Sequence, residues 1–587
     1  MLYNVKKQFA GITMKKLLVY LKNYKLESIC APLFKMLEAT FELIVPLVVA
    51  SIIDDGIKNG DTRLILTRAA MLAGLAIVGM VAAITAQYFA AKAATGFAAE
   101  LRYSLFSKIQ SFSFNELDRI GSSTLITRLT TDVNQAQNGV NMVLRLFLRS
   151  PFIVVGAMIM AMVIDVKAGL IFFGIIAVLS TIICIIMKST VPMYKNVQNT
   201  LDDVTRLTRE NLTGARVIRA FTDEEQEYKK FTEKNNFLSH LQRSVGRISA
   251  LMNPLTFIVI NLGIVLLIYT GAIRVNVGSL SQGQVVALYN YMGQILVELV
   301  KFANLIVTVT KGFASGVRIA DILDIDSTLE SVNDENIYNN NAVCFENVSL
   351  TYQNAGETSL NNISFTANRG EVIGIIGPTG SGKSSLVNLI AHYYDATTGR
   401  VTVNGRDVKS LDKTKLRSKI GFVMQKSVLF SGTVRDNMKW GKKDATDDEI
   451  NEALKIAQIY DSVYEKDGLD TKIEQNGANL SGGQKQRLSI ARALVGKPEI
   501  IVLDDSASAL DFATEKSLRE AILSLDYNPT LFIVSQRCSS ILGADKIIVL
   551  DDGNCVGIGN NRELLNNCEI YREIYESQFE GEDINEK

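Results

Sequence analysis

Several things are scarce in this 587-residue chain, and each shortage excludes something. Net charge is absent, because 61 Lys and Arg balance 61 Asp and Glu. No bulk electrostatic pull toward nucleic acid is implied, so no nucleic-acid partner is expected. The six cysteines (Cys30, Cys184, Cys344, Cys538, Cys555 and Cys568) are scattered and form no CxxC pair. That argues against a metal knuckle and a disulfide framework, and suits a reducing, cytosolic side. A signal peptide is also missing. Residues 1–30 are basic and amphipathic (Lys6, Lys7, Lys15, Lys16, Lys22, Lys25) and carry no small-residue cleavage site. The stretch TMKKLLVYLKNY reads as an interfacial helix on a membrane.

What is abundant is apolar sequence. Hydrophobic residues make up 48% of the chain against 21% charged, and mean hydropathy is +0.17. The average joins two unlike halves. Long apolar runs crowd residues 33–310, and the remainder has the composition of a soluble domain. A bilayer-crossing helix needs about 20 mostly apolar residues. Six segments qualify, at 33–53, 65–91, 136–163, 168–190, 249–273 and 284–308. The connections 54–64, 164–167 and 274–283 are short, whereas 92–135 and 191–248 are long, polar and helix-like. Lys and Arg favour the long connections and the N-terminal segment, which places both termini and both long connections on the cytoplasmic side of the cell membrane. Helices then continue well beyond the bilayer and turn back at SFNELDRIG (113–121) and IRAFTDEEQ (218–226). Each tip sets an aromatic beside charges, as a short helix docking on another surface would.

Pro46, Pro151, Pro192 and Pro254 fall in or beside the spans, where a lost backbone hydrogen bond can kink a helix. Charge within a span is costly and faces protein or water. Glu42, Arg145 and Glu298, with Gln294, are therefore candidates for a polar substrate cavity; an interhelical polar contact is the alternative. Arg149 also lies in the third span.

After a polar linker at 326–342 the pattern changes to strands. EVIGIIG runs into Gly377, Pro378, Thr379, Gly380, Ser381, Gly382, Lys383 and Ser384, followed by Ser385 and a helical pattern. This is G-x-x-x-x-G-K-[ST] in a strand–loop–helix context, a phosphate-binding loop. Its glycines let backbone N–H groups curl around phosphates, and the helix N-terminus adds a positive dipole end. Lys383 is placed to reach the β- and γ-phosphates, and the Ser384 hydroxyl to ligate Mg²⁺. A second buried strand, IVLD, ends at Asp504, a carboxylate suited to hold Mg²⁺ through water. Between them, NLSGGQKQRLSIARAL opens a helix at Ser481-Gly482-Gly483.

These motifs, in this order, resemble the ATPase domain of an ATP-binding cassette (ABC) transporter over residues 340–575. With six preceding spans the chain resembles an exporter-type half-transporter from about residue 15 onward. The resemblance implies a multidomain fold. An N-terminal cytoplasmic or interfacial helix (1–30) precedes an all-α six-helix transmembrane domain with long intracellular helical extensions (31–325). The linker (326–342) leads to an α/β P-loop nucleotide-binding domain (343–587). It implies ATP and Mg²⁺ as cofactors, Tyr352 stacking on adenine, and Gln425 linking Mg²⁺ to the membrane domain. It also implies a signature motif at Leu480, Ser481, Gly482, Gly483 and Gln484, and a D-loop at 508–511. In this family two domains pair head to tail, so each signature serves the partner chain's nucleotide.

The departures are informative. Where the family carries a catalytic glutamate stands Asp505, and where it carries a γ-phosphate-contacting histidine stands Gln536. The two histidines, His240 and His392, lie outside both motifs, and TKIEQNG (471–477) departs from the family pattern through Glu474, Gln475 and Asn476. An aspartate draws its oxygens back by about 1.5 Å, one C–C bond. Misplacement by about 1 Å can cost around 10²-fold, and general-base catalysis is itself worth about 10²–10⁴-fold. Nucleotide binding is expected to survive, and fast hydrolysis at this chain's own loop is not. A heterodimer is therefore expected, resembling the degenerate-site subunit of bacterial multidrug exporters. The partner half-transporter would carry Glu and His at these positions and an altered signature. The expected cargo is a hydrophobic or amphipathic small molecule, moved by alternating access. A lipid flippase, a homodimeric exporter and an ATP-binding regulatory subunit are the alternatives. Peptide export with leader cleavage is disfavoured because no protease domain precedes the spans, and import because spans and ATPase are fused in exporter order.

Overall fold

The computed structural model describes residues 16–326, 329, 336–338, 340–353, 355–506 and 510–579. It divides into two compact units, one of residues 1–110 and 123–325, the other of residues 111–122 and 326–587. Residues 1–15 of the expected interfacial helix, parts of the linker, and Ser508 and Ala509 of the expected D-loop lie outside the described residues.

In the first unit six long helical segments are apolar enough to cross a membrane: Leu18–Ile57, Thr62–Gln110, Ser122–Ile164, Val166–Thr213, Glu224–Asn276 and Gln282–Leu323. Each contains one predicted span and runs beyond it. Their outward faces leave Leu66, Ile84, Val163, Ile185 and Val265 more than half exposed. A continuous apolar surface of this kind suits lipid, not water. Inward, Phe172, Leu179, Leu267, Leu288, Tyr291 and Ile295 form a fully buried core.

The helix breaks follow the sequence. Asp165 begins the fourth helix by accepting from the Ala168 N–H at 2.8 Å, and Ser281 with Gln284 makes a capping box on the sixth. Pro151 and Pro254 sit in the first turns of helical stretches that restart at Arg149 and Met252, where a missing N–H costs nothing. Pro46 and Pro192 lie inside helices. The third and sixth helices cross at Gly139 and Gly312, where a Cβ on Gly312 would stand 2.8 Å from the Gly139 Cα. The second tip is a short helix, Ala215–Phe221, beginning three residues before the predicted turn.

The second unit is built on a sheet. Its strands are β1 (Val343–Leu350), β2 (Leu360–Ala367), β3 (Val372–Ile376), β4 (Thr398–Val403), β5 (Arg406–Asp407), β6 (Ile420–Val423), β7 (Gly432–Thr433), β8 (Lys472–Ile473), β9 (Ile500–Asp504), β10 (Thr530–Val534), β11 (Lys546–Asp551) and β12 (Asn554–Gly559). Ten of them form one sheet in the order β5-β4-β1-β2-β12-β11-β3-β10-β9-β6, and β7 pairs with β8. The stretch β11-β3-β10-β9-β6 is parallel, and the register pairs Val534 with both Asp504 and Ile375, and Leu503 with Val423. β3, β9 and β10 are buried along their whole length, as parallel strands covered on both faces must be. In an open parallel sheet, ligands bind beyond the carboxyl ends of such strands.

Candidate nucleotide site

Four adjacent strand ends deliver the predicted residues. β3 runs into the loop 377–384, β10 into Ser535 and Gln536, β9 into Asp504 and Asp505, and β6 toward Gln425. Sequence separations of 30 residues (Asp505 to Ser535) to 158 (Gly377 to Ser535) vanish because the strands are neighbours.

The loop has the form a phosphate cradle needs. Gly382 has φ +94°, a left-handed conformation that suits glycine, and a Cβ there would stand 2.6 Å from the Ser359 carbonyl. The helix Lys383–Ile390 starts directly after it. Lys383 is buried, and its ammonium donates to the carbonyls of Gly377 and Pro378, each at 2.7 Å. Ser381 Oγ is buried and has no hydrogen-bond partner, an orphan that a phosphate oxygen would satisfy. Ser384 Oγ donates to Asp504 Oδ1 at 2.9 Å. Two hard oxygen groups from the loop and from β9 thus converge, which fits Mg²⁺. Burial raises the Asp504 carboxyl above the ordinary value, and Asp505 adds to that rise against the Ser384 hydrogen bond. Burial lowers Lys383, against the pull of Asp505 and Asp504.

Asp505 has φ +45°, a conformation in which Asp is tolerated better than most side chains. Its N–H donates to the Val534 carbonyl at 3.0 Å, and Gln425 Nε2 donates to its Oδ2 at 3.2 Å. Gln486, buried in the helix Gly482–Leu494, donates to the Asp505 carbonyl at 3.4 Å. The predicted Mg²⁺ group Gln425 and the predicted base therefore touch. Gln536 is exposed on the loop after β10.

Tyr352 sits where its hydroxyl donates to Ser385 Oγ at 2.9 Å, one residue past Ser384. Its ring meets Tyr394 edge to face at 5.0 Å. Tyr394 in turn donates to Asp118 Oδ2 at 2.5 Å, and Tyr393 stacks on Phe114 at 4.4 Å. The first tip, a short helix Phe114–Ile120 with a capping box at Ser113, is thus joined through Tyr394 to Tyr352. Sequence reasoning passed over Tyr393 and Tyr394. Two tyrosines after the loop helix were the only signal, and nothing local told of their partners.

The predicted signature residues form a helix start. Ser481 N–H donates to Gln484 Oε1 at 3.0 Å, and the Gln484 N–H returns to Ser481 Oγ at 3.3 Å. Gln484 Nε2 donates to Ser462 at 3.0 Å. Ser481 and Gly482 are exposed, while Leu480 packs against the core. In the variant loop, Asn476 takes φ +58°.

In the first unit, three of the polar span residues come together and one does not. Arg149, buried on the third helical segment, donates to Glu298 Oε1 at 2.7 Å and to both Glu42 oxygens at 2.8 Å. Ser150 donates to Glu298 Oε2 at 2.7 Å, Lys301 to its Oε1 at 3.1 Å, and Gln294 Nε2 to the Glu42 carbonyl at 3.4 Å. Glu42, Gln294 and Glu298 therefore belong to an interhelical ion cluster closed by Arg149. Arg145, half-buried, takes no part in it. Beside this cluster, Glu38 and Glu42 with Phe41, Val45, Leu75 and Met80 line a pocket between the first two helices.

Comparison with known proteins agrees with this architecture. Residues 28–299 match the family model of the ABC transporter transmembrane region, and residues 360–508 match that of the ABC transporter. The chain is 37% identical to the ABC transporter ATP-binding protein YfiB of Bacillus subtilis (strain 168), over 96% of this chain and 99% of the relative. It is 31% identical to the putative multidrug export ATP-binding/permease protein YgaD of the same organism, over 96% and 99%. It is 27% identical to the ATP-dependent lipid A-core flippase 1 of Colwellia psychrerythraea, over 96% of each. The solved structure of a bacterial Atm1-family ABC exporter with ATP bound shares the fold, with a TM-score of 0.80 at 21% identity over 96% of this chain and 99% of that one.

Proposed function

This chain belongs to the ABC transporter family as an exporter, and from that we propose that it is one subunit of a heterodimer whose own P-loop forms the slowly hydrolysing ATP site. ATP binding and ATP-driven export in a membrane, by a dimer, are the family's activity. The observation that carries the finer reading is Asp505. Its carboxylate is one methylene short, is drawn toward Gln425 at 3.2 Å, and springs from a backbone at φ +45°. Gln536 stands where a titrating imidazole would be, and an amide donates but does not titrate.

Each residue has a role in this reading. The glycines and Lys383 hold phosphates, Ser381 Oγ gains its missing hydrogen-bond partner there, and Tyr352 offers an adenine platform. Ser384 and Asp504, with Gln425, would hold Mg²⁺, which neutralises charge on the phosphates. Leu480 to Gln484 would complete the partner's site in trans. Closure of paired domains would be passed to the spans through the tip helices, opening them outward in alternating access.

The substrate class is a hydrophobic or amphipathic small molecule, in line with the relative named for multidrug export. The relative named a lipid A-core flippase raises a lipid as a second reading. Arg149 speaks against it, because two carboxylates already take up the charge that would meet an anionic headgroup.

The test is ATP hydrolysis in lipid by this chain alone, by the heterodimer, and by the chain alone carrying Asp505→Glu with Gln536→His. The single species should be slow, and the double variant faster by about 10²-fold. Brisk turnover by the unmodified single species rejects the reading.

A further inference from the structure

The loop that leaves β10 carries Gln536, and its backbone is held by side chains from distant parts of the chain. Ser535 N–H donates to the Ile375 carbonyl at 3.0 Å, and Ser535 Oγ accepts from the Arg537 N–H at 2.9 Å. Gln578, just past the helix Glu569–Glu576, reaches the same loop twice. Its Nε2 donates to the Gln536 carbonyl at 2.8 Å, and its Oε1 accepts from the Cys538 N–H at 2.8 Å. One planar amide thus ties the peptide groups on both sides of Arg537. Only one orientation of that amide satisfies both partners, and a carboxylate would set an oxygen against the Gln536 carbonyl. Further along, Arg519 from the helix Phe512–Leu523 donates to the carbonyls of Ser539 and Ser540 at 3.0 and 2.9 Å.

The C-terminal helix is firmly seated. Tyr571 is fully buried and donates to Asn561 Oδ1 at 2.7 Å, and Tyr575 packs on Phe579 with ring centroids 4.6 Å apart. Gln578 therefore reaches the loop from a fixed base.

We infer that Gln578 is a positioning residue for Gln536, through which the C-terminal helix sets where the γ-phosphate-facing side chain stands. This rests on the proposed place of Gln536 at the γ-phosphate. The physical reason is leverage. A side chain aims from its own peptide unit, and a displacement of about 1 Å at a reacting centre costs around 10²-fold.

Cys538 supplies the reporter. Its thiol is fully buried, and burial pushes its pKa up to about 12, so alkylation near neutral pH requires the loop to open. Cys568, buried at the N-terminus of the same C-terminal helix, reports whether that helix detaches. In the full-length assembly in lipid, labelled peptides are quantified by mass spectrometry. Gln578→Ala should speed Cys538 alkylation about fivefold, as expected for the loss of two hydrogen bonds, one exposed and one half-buried, and leave Cys568 unchanged. Gln578→Glu, which keeps only the Cys538 acceptor, should fall between. In the Asp505→Glu, Gln536→His background, Gln578→Ala should lower kcat for ATP and leave KM unchanged, because Gln578 touches neither the P-loop nor Tyr352. Unchanged Cys538 labelling overturns the inference. So does a parallel rise at Cys568, or a rise at Cys538 with kcat untouched. If the background double variant is itself no faster than the native chain, the reading of Asp505 and Gln536 fails instead, and the labelling ratio still decides the role of Gln578.

Discussion

At Asp505 the proposed slow site combines an arm one methylene shorter than glutamate's with a left-handed backbone. The left-handed backbone is one that aspartate tolerates, and the short arm is within reach of Gln425. Beside it, Asp504 and Lys383 are buried groups whose ionisation is shifted in opposite senses, the acid upward and the base downward, each mainly by burial. In the proposed site Mg-nucleotide binding would need both charged, and the usable pH window would then narrow from both ends. Affinity for a fluorescent MgATP analogue should decline on the acid side at a pH above that of an ordinary aspartate, and on the alkaline side below that of an ordinary lysine. Asp504→Asn should flatten the acid limb, and an unchanged acid limb in that variant would refute the assignment. Linkage to folding has its own sign. The folded chain holds the Asp504 proton longer, so that contribution is present below the ordinary Asp value and is lost as pH rises through the raised one. For Lys383 the contribution is present above the ordinary Lys value and is lost as pH falls through the lowered one.

Elements carry the next set of consequences. The short helix Phe114–Ile120 meets the nucleotide site through Tyr394, whose hydroxyl bonds Asp118 and whose ring touches Tyr352. Burial raises the Tyr394 phenol, with the Asp118 hydrogen bond adding to the rise, so it remains a donor at any physiological pH. Tyr394→Phe keeps the ring contacts and removes that bond. Nucleotide affinity should hold, while the substrate-stimulated part of ATP hydrolysis falls. An equal loss of basal and stimulated rates would place the role of Tyr394 at the nucleotide alone. In the spans, one arginine ties three helices. Arg149→Met would leave Glu298, 3% exposed, with only the half-exposed Lys301 and the Ser150 hydroxyl to answer its charge, and removing one partner of a buried pair costs about 3–5 kcal/mol. Thermal unfolding in detergent should show a clear loss of stability, and adding Glu42→Gln with Glu298→Gln should restore most of it. If the added changes restore nothing, the cluster contributes packing and not charge.

For the whole molecule, the decisive feature is that Ser481 and Asp505 serve different nucleotides in the proposed heterodimer. Ser481→Arg should suppress ATP turnover of the pair by about 10²-fold, the scale of a lost positioning contact in a catalytic site. Asp505→Asn in the same pair should change it little, because the site it belongs to is already slow. Measuring both variants in co-expressed pairs checks this, and a larger loss from Asp505→Asn would reverse the assignment of the working site.

Much of this was written in the chain order itself. Apolar runs of membrane-spanning length and the spacing of Gly377 to Ser384 are local patterns, and local patterns survive translation into structure because helix period and loop chirality depend on neighbours in sequence. The six spans and the ATPase half were legible for that reason. The contacts of Tyr394 with Asp118, of Arg149 with Glu42 and Glu298, and of Gln578 with the Gln536 loop were not. Each joins residues 42 to 276 positions apart, and no periodicity encodes such a meeting. Only the parallel register of β3, β10, β9 and β6 and the crossing of the long helices decided which polar groups would share a site, because burial leaves a polar atom no choice but to find a partner within the fold.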